Sequence, residues 1–307
     1  MHALRTLVLA LVAAFGLLAH GALAAARQPL VDAAWLQAHA SDAGVVVIDV
    51  RPAEAYAAGH VKGALSAPYA SFGWRGTVDG VPEQLPPPAQ IQGLIRGLGV
   101  NGASHVVIVT AGANATDFGA ATRVYWTFRV LGHDEVSVLD GGQRAWTGAG
   151  LPLDTATPPP PAAGDFTARL NPALLADTAE VEAAMKAGVR LIDARPPDQF
   201  SGAKKSPIAR VGGAIPGAVD APLTEFYDAE AGRFADKAAV EAAAKAHGVD
   251  PDKPAIAYCN SGHMSSVDWF GLSEVLGQKD VKLYDGSMAA WTADPARPVS
   301  ATAEPAH

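Results

Sequence analysis

"VVVIDVRPAEAYAAGHVKGAL" (residues 45–65) is written again further along the chain, as "VRLIDARPPDQFSG" (189–202) followed by "VGGAIPGAV" (211–219). A second phrase, "LGHDEVSVLDGGQRAW" (131–146), returns as "LGQKDVKLYDGSMAAW" (276–291). Asp49 maps to Asp193, Asp140 to Asp285 and Trp146 to Trp291, each 144 or 145 residues on. A period that long marks a duplicated domain rather than a solenoid unit. The copies are separated by "LPLDTATPPPPAAGDF" (151–166), whose four consecutive prolines bar helix and central strand and predict an extended linker. The two domains expected are therefore 28–150 and 167–300.

Within each copy, short apolar runs alternate with helical patterns. In the first, "VVVID" (45–49), "VVIVT" (106–110) and "VSVLD" (136–140) read as buried strands. In the second, "LID" (191–193), "AIAY" (255–258) and "VKLYD" (281–285) match them. Continuous apolar character, rather than alternation, suits parallel strands covered on both faces. "DKAAVEAAAKAHG" (236–248) starts on an Asp suited to capping and stops at Gly248. "SSVDWFGLSEVLG" (265–277) is expected to use Ser265 or Ser266 as N-cap and Gly277 as terminator, with Trp269, Leu272 and Leu276 on one face. The fold class that follows is α/β: tandem duplicated domains, each a small, mostly parallel sheet flanked by helices.

Apolar residues are 49% and charged residues 18% of the 307, a globular balance. A net charge of −8, with no basic run, argues against nucleic acid as a partner. The first 24 residues carry Arg5, an apolar core from Leu7 to Leu18, and small residues at Ala22 and Ala24. That is the pattern of a secretory signal peptide cleaved near Ala24 to Ala26. Its core is short of the roughly 20 residues a membrane span needs. The mature protein is expected to be exported across the inner membrane, periplasmic in a Gram-negative source, and free of the membrane. The tail "ARPVSATAEPAH" (296–307) is expected to fray.

In an oxidising compartment cysteines usually come in pairs, yet this chain has one, Cys259, within "AIAYCNSGHMSSVDWF" (255–270). Ligands of open parallel sheets bind beyond the carboxyl ends of the strands. Cys259 directly follows a strand and precedes a helix, so residues 260–264 must form a tight loop, with Gly262 supplying the backbone freedom. Such a loop turns successive N–H groups inward, and a helix start adds partial positive charge. A sulfur at its centre is expected to be a thiolate, below the free pKa of about 8.5. The bland reading is a small buried hydrophobe at a strand end. The repeat bears on the choice: lining up "HVVIVT" with "PAIAYC" sets Thr110 opposite Cys259, which suggests one active and one inactive half.

The layout resembles the two-domain rhodanese sulfurtransferases, the thiosulfate and 3-mercaptopyruvate sulfurtransferases. The likeness rests on "IDVRPAEAYAAGHVKGA", "IDARPPDQF", "GGAIPGAV", the loop "CNSGHM" and "DGSMAAW", and covers residues 28 to about 295. It implies that Cys259 takes a sulfane sulfur as a persulfide from a small sulfur-containing anion, thiosulfate or 3-mercaptopyruvate. The sulfur then passes to cyanide, a thiol or a protein acceptor, so that two covalent steps replace one difficult one. It implies substrate-binding roles for Asn260, Ser261, Gly262, His263, Met264, Ser265 and Arg195, and no organic cofactor. No metal is expected either, since the nine histidines show no metal-ligand spacing and there is one cysteine.

Two departures bear on the donor. Thiosulfate-type members surround the cysteine with cationic side chains, where this chain has Asn260, Ser261 and His263, and a later family arginine is Gln199 here. His263 is expected to add charge below about pH 6.5. Arg51 and Arg195 are expected as structural ion pairs, Arg195 being the better placed to face the site. Asp49, Asp193, Asp140 and Asp285 read as capping and packing groups, Trp146 and Trp291 as core anchors, and "FGWRG" (72–76) as an exposed loop. A cysteine phosphatase needs an arginine six positions after its thiol to grip the phosphoryl oxygens, and that position is Ser265. The remaining rival is a non-catalytic sulfur carrier or redox-binding module that uses Cys259.

Overall fold

The computed structural model describes residues 28–301; the expected signal peptide and the end of the tail lie outside that range. Two five-stranded sheets stand in tandem, and every pairing within them is parallel. The first contains β1 (Leu30–Val31), β2 (Val45–Asp49), β3 (Leu65–Ser66), β4 (His105–Val109) and β5 (Val136–Leu139), in the order β1-β5-β4-β2-β3. The second contains β6 (Leu175–Ala176), β7 (Arg190–Asp193), β8 (Val219–Asp220), β9 (Ala255–Tyr258) and β10 (Val281–Tyr284), in the order β6-β10-β9-β7-β8. The two orders are the same strand for strand, so the written repeat is a repeat of topology.

Main-chain hydrogen bonds set the residue equivalence. The Val50 amide donates to the carbonyl of Val109, and the Ala194 amide to that of Tyr258, both at 3.0 Å. The next carbonyl, Thr110 or Cys259, accepts from Gln143 at 2.8 Å or from Met288 at 3.1 Å. Thr110 and Cys259 therefore occupy the same place in the two copies. The central strands β4 and β9 are apolar and almost wholly buried, as covered parallel strands must be.

Helix starts follow their caps where a cap exists. Asp236 accepts from the Ala239 amide at 2.9 Å, as expected from its position. The serines of 265–277 behave differently from the expectation. The helix Ser265–Phe270 is entered through Met264, with no side-chain cap, and both serines lie inside it and are fully buried. Ser266 turns its hydroxyl across the domain boundary, 2.7 Å from Thr122 Oγ1, and onto the carbonyl of His263 at 2.7 Å. The helix then widens into a π turn over Gly271–Val275. There a Cβ on Gly271 would stand 3.0 Å from the ring of Phe226.

The halves are joined by a continuous apolar core. The helix Ala115–Val130 packs along Ser265–Phe270. Phe118 meets Tyr227, Phe234 and Phe270 at ring separations of 5.9, 5.2 and 6.0 Å, and Tyr125 meets Phe270 edge-on at 5.0 Å. Two hairpins cross the boundary in opposite directions, Gly76–Val78 with Val81–Gln84 and Tyr227–Asp228 with Arg233–Phe234. Asp285 accepts from the Leu85 amide at 2.7 Å, and Asp140 from the Phe234 amide at 2.9 Å. Each of these strand-end carboxylates thus holds the hairpin of the other half.

Trp146 and Trp291 are core anchors, their indole N–H groups donating to the carbonyls of Pro152 and Pro298 at 2.9 and 2.8 Å. "FGWRG" is not the exposed loop expected: Trp74 is fully buried, donates to the carbonyl of Ala67 and packs on Phe128. A large indole in an amphipathic loop gains more by burial than the loop's composition suggests.

Candidate active site

The loop after β9 is built around Cys259, whose side chain is 0% exposed. Gly262 is its pivot, with φ +74. A Cβ there would also collide with Arg123 Nη1 and stand 3.1 Å from Asp285 Oδ1, so glycine is needed for close approach as well as for the turn. Ser287 clamps the loop from beneath. Its hydroxyl accepts from the amides of Cys259 (3.0 Å) and Gly262 (3.1 Å) and donates to the carbonyl of Tyr284 (2.7 Å). Among the described residues, the amides of Asn260, Ser261, His263, Met264 and Ser265 have no protein acceptor. These N–H groups, with the helix start behind them, form a cradle for negative charge.

Cations reach the loop from the other half. Arg123, on the interface helix and fully buried, pairs with Asp285, donates to the carbonyl of Ser261 at 3.3 Å and lies 4.8 Å above the ring of Trp126. Arg75, next to the buried Trp74, lies 4.2 Å above the ring of Tyr69, pairs with Glu83 and shares an electrostatic field with Cys259. The neutral loop read in the sequence is therefore not a neutral site. No motif pointed to Arg123 or Tyr69; Arg75 was offered by the sequence, with Trp74, as a residue that could lie over the cleft between the domains, second to the exposed-loop reading.

His263 fastens the halves together. The Tyr69 hydroxyl and His263 Nδ1 are hydrogen-bonded at 2.8 Å, and the ring rests over Gly119, where a Cβ would meet Nε2 at 3.0 Å. The backbone of Thr116 accepts a further hydrogen bond from the ring. Burial, then the nearby charges of Arg75 and Arg123, push its pKa down to about 4, so it stays neutral where the sequence suggested a charge below pH 6.5. Asn260 donates to Gln199 Oε1 at 2.8 Å, which gives the residue in place of the family arginine a partner in the loop. Met264 is half-buried against the core, and the Ser265 hydroxyl is buried with no hydrogen-bond partner.

Arg195 is a structural group. Its Nε and Nη2 donate to Asp193 at 2.8 and 2.6 Å, and Nη2 also donates to the carbonyl of Gly213 at 2.8 Å. Arg51 makes the same bonds to Asp49 and the carbonyl of Gly59 in the half that has no thiol. A pattern shared by both copies answers a requirement of the fold, and Arg195 is held as the structural ion pair expected of it, a strand-end fork.

The copies diverge in the loop itself. In the first half, the Asp117 carboxylate turns back onto the loop and accepts from the amides of Gly112 (2.7 Å) and Ala113 (3.1 Å). That cradle is filled by the chain's own anion. The residue equivalent to Ser287 is Gly142, with φ +57, and Ser287 holds the same left-handed conformation at φ +47. A side chain has been accepted there despite its strain, at the one place where its hydroxyl holds the sulfur loop. A cleft of about 890 Å³, lined mainly by the first half, includes Tyr69, Asn114 and Asp117 with His263 of the second; Cys259 is not part of its lining.

Tandem parallel sheets with a lone thiol at a strand-to-helix loop define a duplicated α/β protein with one thiol-bearing half. The chain belongs to the rhodanese family: the rhodanese-like domain model matches it twice, at residues 32–149 and 177–294. It is 32% identical over 271 residues to the "Putative thiosulfate sulfurtransferase" of Mycobacterium leprae, covering 86% of this chain and 93% of that one. It is 31% identical over 283 residues to the 3-mercaptopyruvate sulfurtransferase of Escherichia coli K12, covering 88% and 96%. The crystal structure of SseA, a 3-mercaptopyruvate sulfotransferase from Escherichia coli, superimposes with a TM-score of 0.73 at 29% identity, over 85% of this chain and 98% of that one. The protein is a sulfurtransferase, and it works between a sulfur donor and a sulfur acceptor.

Two measurements probe this geometry. Ser287→Ala orphans two buried amides and is expected to cost about 2–4 kcal/mol of unfolding free energy. Ser287→Gly loses the same bonds but relieves the left-handed strain, and denaturant unfolding should find it the milder by about 1 kcal/mol. The second concerns pH. An unfolded histidine binds its proton below about 6.5, whereas His263 waits until about 4, so in that window the unfolded state binds more protons and stability falls as pH falls. His263→Gln should flatten this part of the stability profile; an unchanged slope would remove His263 as its source.

Proposed function

We propose that Cys259 is the catalytic nucleophile, taking a sulfane sulfur as a persulfide from a small anionic donor and passing it to a thiophilic acceptor such as cyanide or a thiol. The observation that carries this is the open cradle: five amides without protein acceptors surround the only thiol, while the matching cradle in the other half is filled by Asp117. An anionic sulfur, or an anionic donor head, is what such a cradle accepts. Loop residues Asn260, Ser261, His263, Met264 and Ser265 contribute their free amides and Gly262 the turn between them, and Arg75 and Arg123 bring positive charge from the first half. Thiosulfate and 3-mercaptopyruvate are the donors proposed, after the names of the Mycobacterium leprae and Escherichia coli relatives.

The enclosure of the thiol favours a second reading, a sulfur carrier loaded by a dedicated protein, since Cys259 has no surface of its own. Export to the periplasm is proposed from the leader at residues 1–24, and the N-terminal sequence of the mature protein tests it.

Intact-mass measurement after incubation with donor separates the readings. The wild-type chain should gain one sulfur atom and turn over when cyanide is added, and Cys259→Ser should do neither. Thr110→Ala, in the half whose cradle is filled, should keep activity within about threefold, the effect of a group outside the chemistry. Loading without turnover would favour the carrier, and a loss in Thr110→Ala as deep as that in Cys259→Ser would contradict the division of roles.

A further inference from the structure

A carboxyl group with no evident structural use sits in the helix that follows the sulfur loop. Asp268 is 0% exposed, and apart from its own backbone amide neither of its oxygens has a hydrogen-bond partner. The titratable groups that face it are Cys259, at the end of β9, Asp193, at the end of the adjacent β7, and Asp220, at the end of β8 beyond that. Arg195 is engaged on Asp193 and leaves Asp268 unneutralised. Burial first, then the charges of Cys259, Asp193 and Asp220, push its pKa well above the usual carboxylate range. With no hydrogen bond and no cation to offset a charge there, burial favours the neutral carboxyl over the carboxylate.

Asp220 continues the line outward. It is half-buried, one of its oxygens has no partner, and burial together with Asp193 pushes its pKa up to about 6. His247 and Glu225, paired at 3.5 Å nearer the surface, lie in its field. A buried carboxyl without hydrogen bonds is a cost in stability that a leucine or valine would not carry. Such costs concentrate where chemistry uses them.

We infer that Asp268 holds the proton taken up by a carbon leaving group when its bond to sulfur breaks at Cys259. The inference rests on the sulfur-transfer reading above. With thiosulfate, the sulfur–sulfur bond breaks and sulfite departs with the electron pair as a stable anion, so no proton is called for. With an α-keto thiol such as 3-mercaptopyruvate, the carbon–sulfur bond breaks and the electron pair passes to carbon as the enolate of pyruvate. Cys259 Sγ forms the new sulfur–sulfur bond and the transferred sulfur keeps its hydrogen as a persulfide. Asp268 gives its proton to the enolate carbon, pyruvate leaves, and the carboxylate regains a proton from the persulfide or, through Asp220, from solvent. No oxidant or reductant enters.

Asp268→Asn keeps the shape and the neutrality of the side chain and removes the transferable proton. In single-turnover loading of the full mature chain, read by intact mass, 3-mercaptopyruvate should load this variant about 100-fold more slowly than wild type, the scale of a lost general acid, while thiosulfate loading and alkylation by iodoacetamide change by less than about threefold. Wild-type loading from 3-mercaptopyruvate should also decline toward high pH, where Asp268 loses its proton, and the variant should lack that decline. An equal loss with all three reagents would mark Asp268 as structural and overturn the inference, as would no loss at all. Should the variant not fold, the wild type decides the matter: heavy water should slow loading from 3-mercaptopyruvate and not alkylation, and an equal effect on both overturns it. Failure of the wild type to take up sulfur from either donor sinks the sulfur-transfer reading itself.

Discussion

A guanidinium from one half of the molecule, buried to 0% exposure, holds the sulfur loop of the other. Arg123 stands on the interface helix of the first domain, yet its ionic partner, Asp285, and its carbonyl acceptor, Ser261, belong to the second. Taking both charges out of water is expensive, and breaking such a pair by removing one partner costs about 3–5 kcal/mol. The geometry around it is correspondingly tight. Gly262 has no room for a Cβ because Arg123 occupies the space, and Asp285 also ties down the hairpin that brings in Arg75. The domain without a thiol is part of the site.

Duplication explains how this arose without a new fold. Both halves keep the strand-end forks of Arg51 and Arg195, the tryptophan anchors and the reciprocal grip of Asp140 and Asp285 on the opposite hairpins. They part at the loops. One cradle of amides is closed by Asp117, and the other is left open around Cys259 and braced by a serine held in a glycine's conformation. A few local differences on a shared frame leave one loop closed by its own carboxylate and the other open around the thiol.

The duplication, the parallel sheets and the position of Cys259 were legible because they depend on local pattern: apolar runs of strand length, a repeat at constant spacing, and a glycine after a lone thiol. What was hidden depends on contacts between residues far apart in the chain. Nothing in the sequence around Arg123 says that its side chain crosses to Asp285, and the expected exposure of Trp74 failed because tertiary packing decides burial. His263 looked like a loop residue able to gain charge; contact with Tyr69, Gly119 and two arginines makes it a neutral fastener. Ser287 could have been found, since the repeat aligns it with Gly142 and a serine at a glycine's place calls for a reason.

The direct test is the rate at which Cys259 gains sulfur when Arg123 is replaced by lysine. Arg123→Lys preserves the charge opposite Asp285 but cannot also reach the carbonyl of Ser261 with a planar fork. If the first half shapes the sulfur loop through this side chain, the folded variant should load about 100-fold more slowly, the usual penalty for a reacting group displaced by an ångström. Loading at the wild-type rate would show that the second domain builds its loop alone.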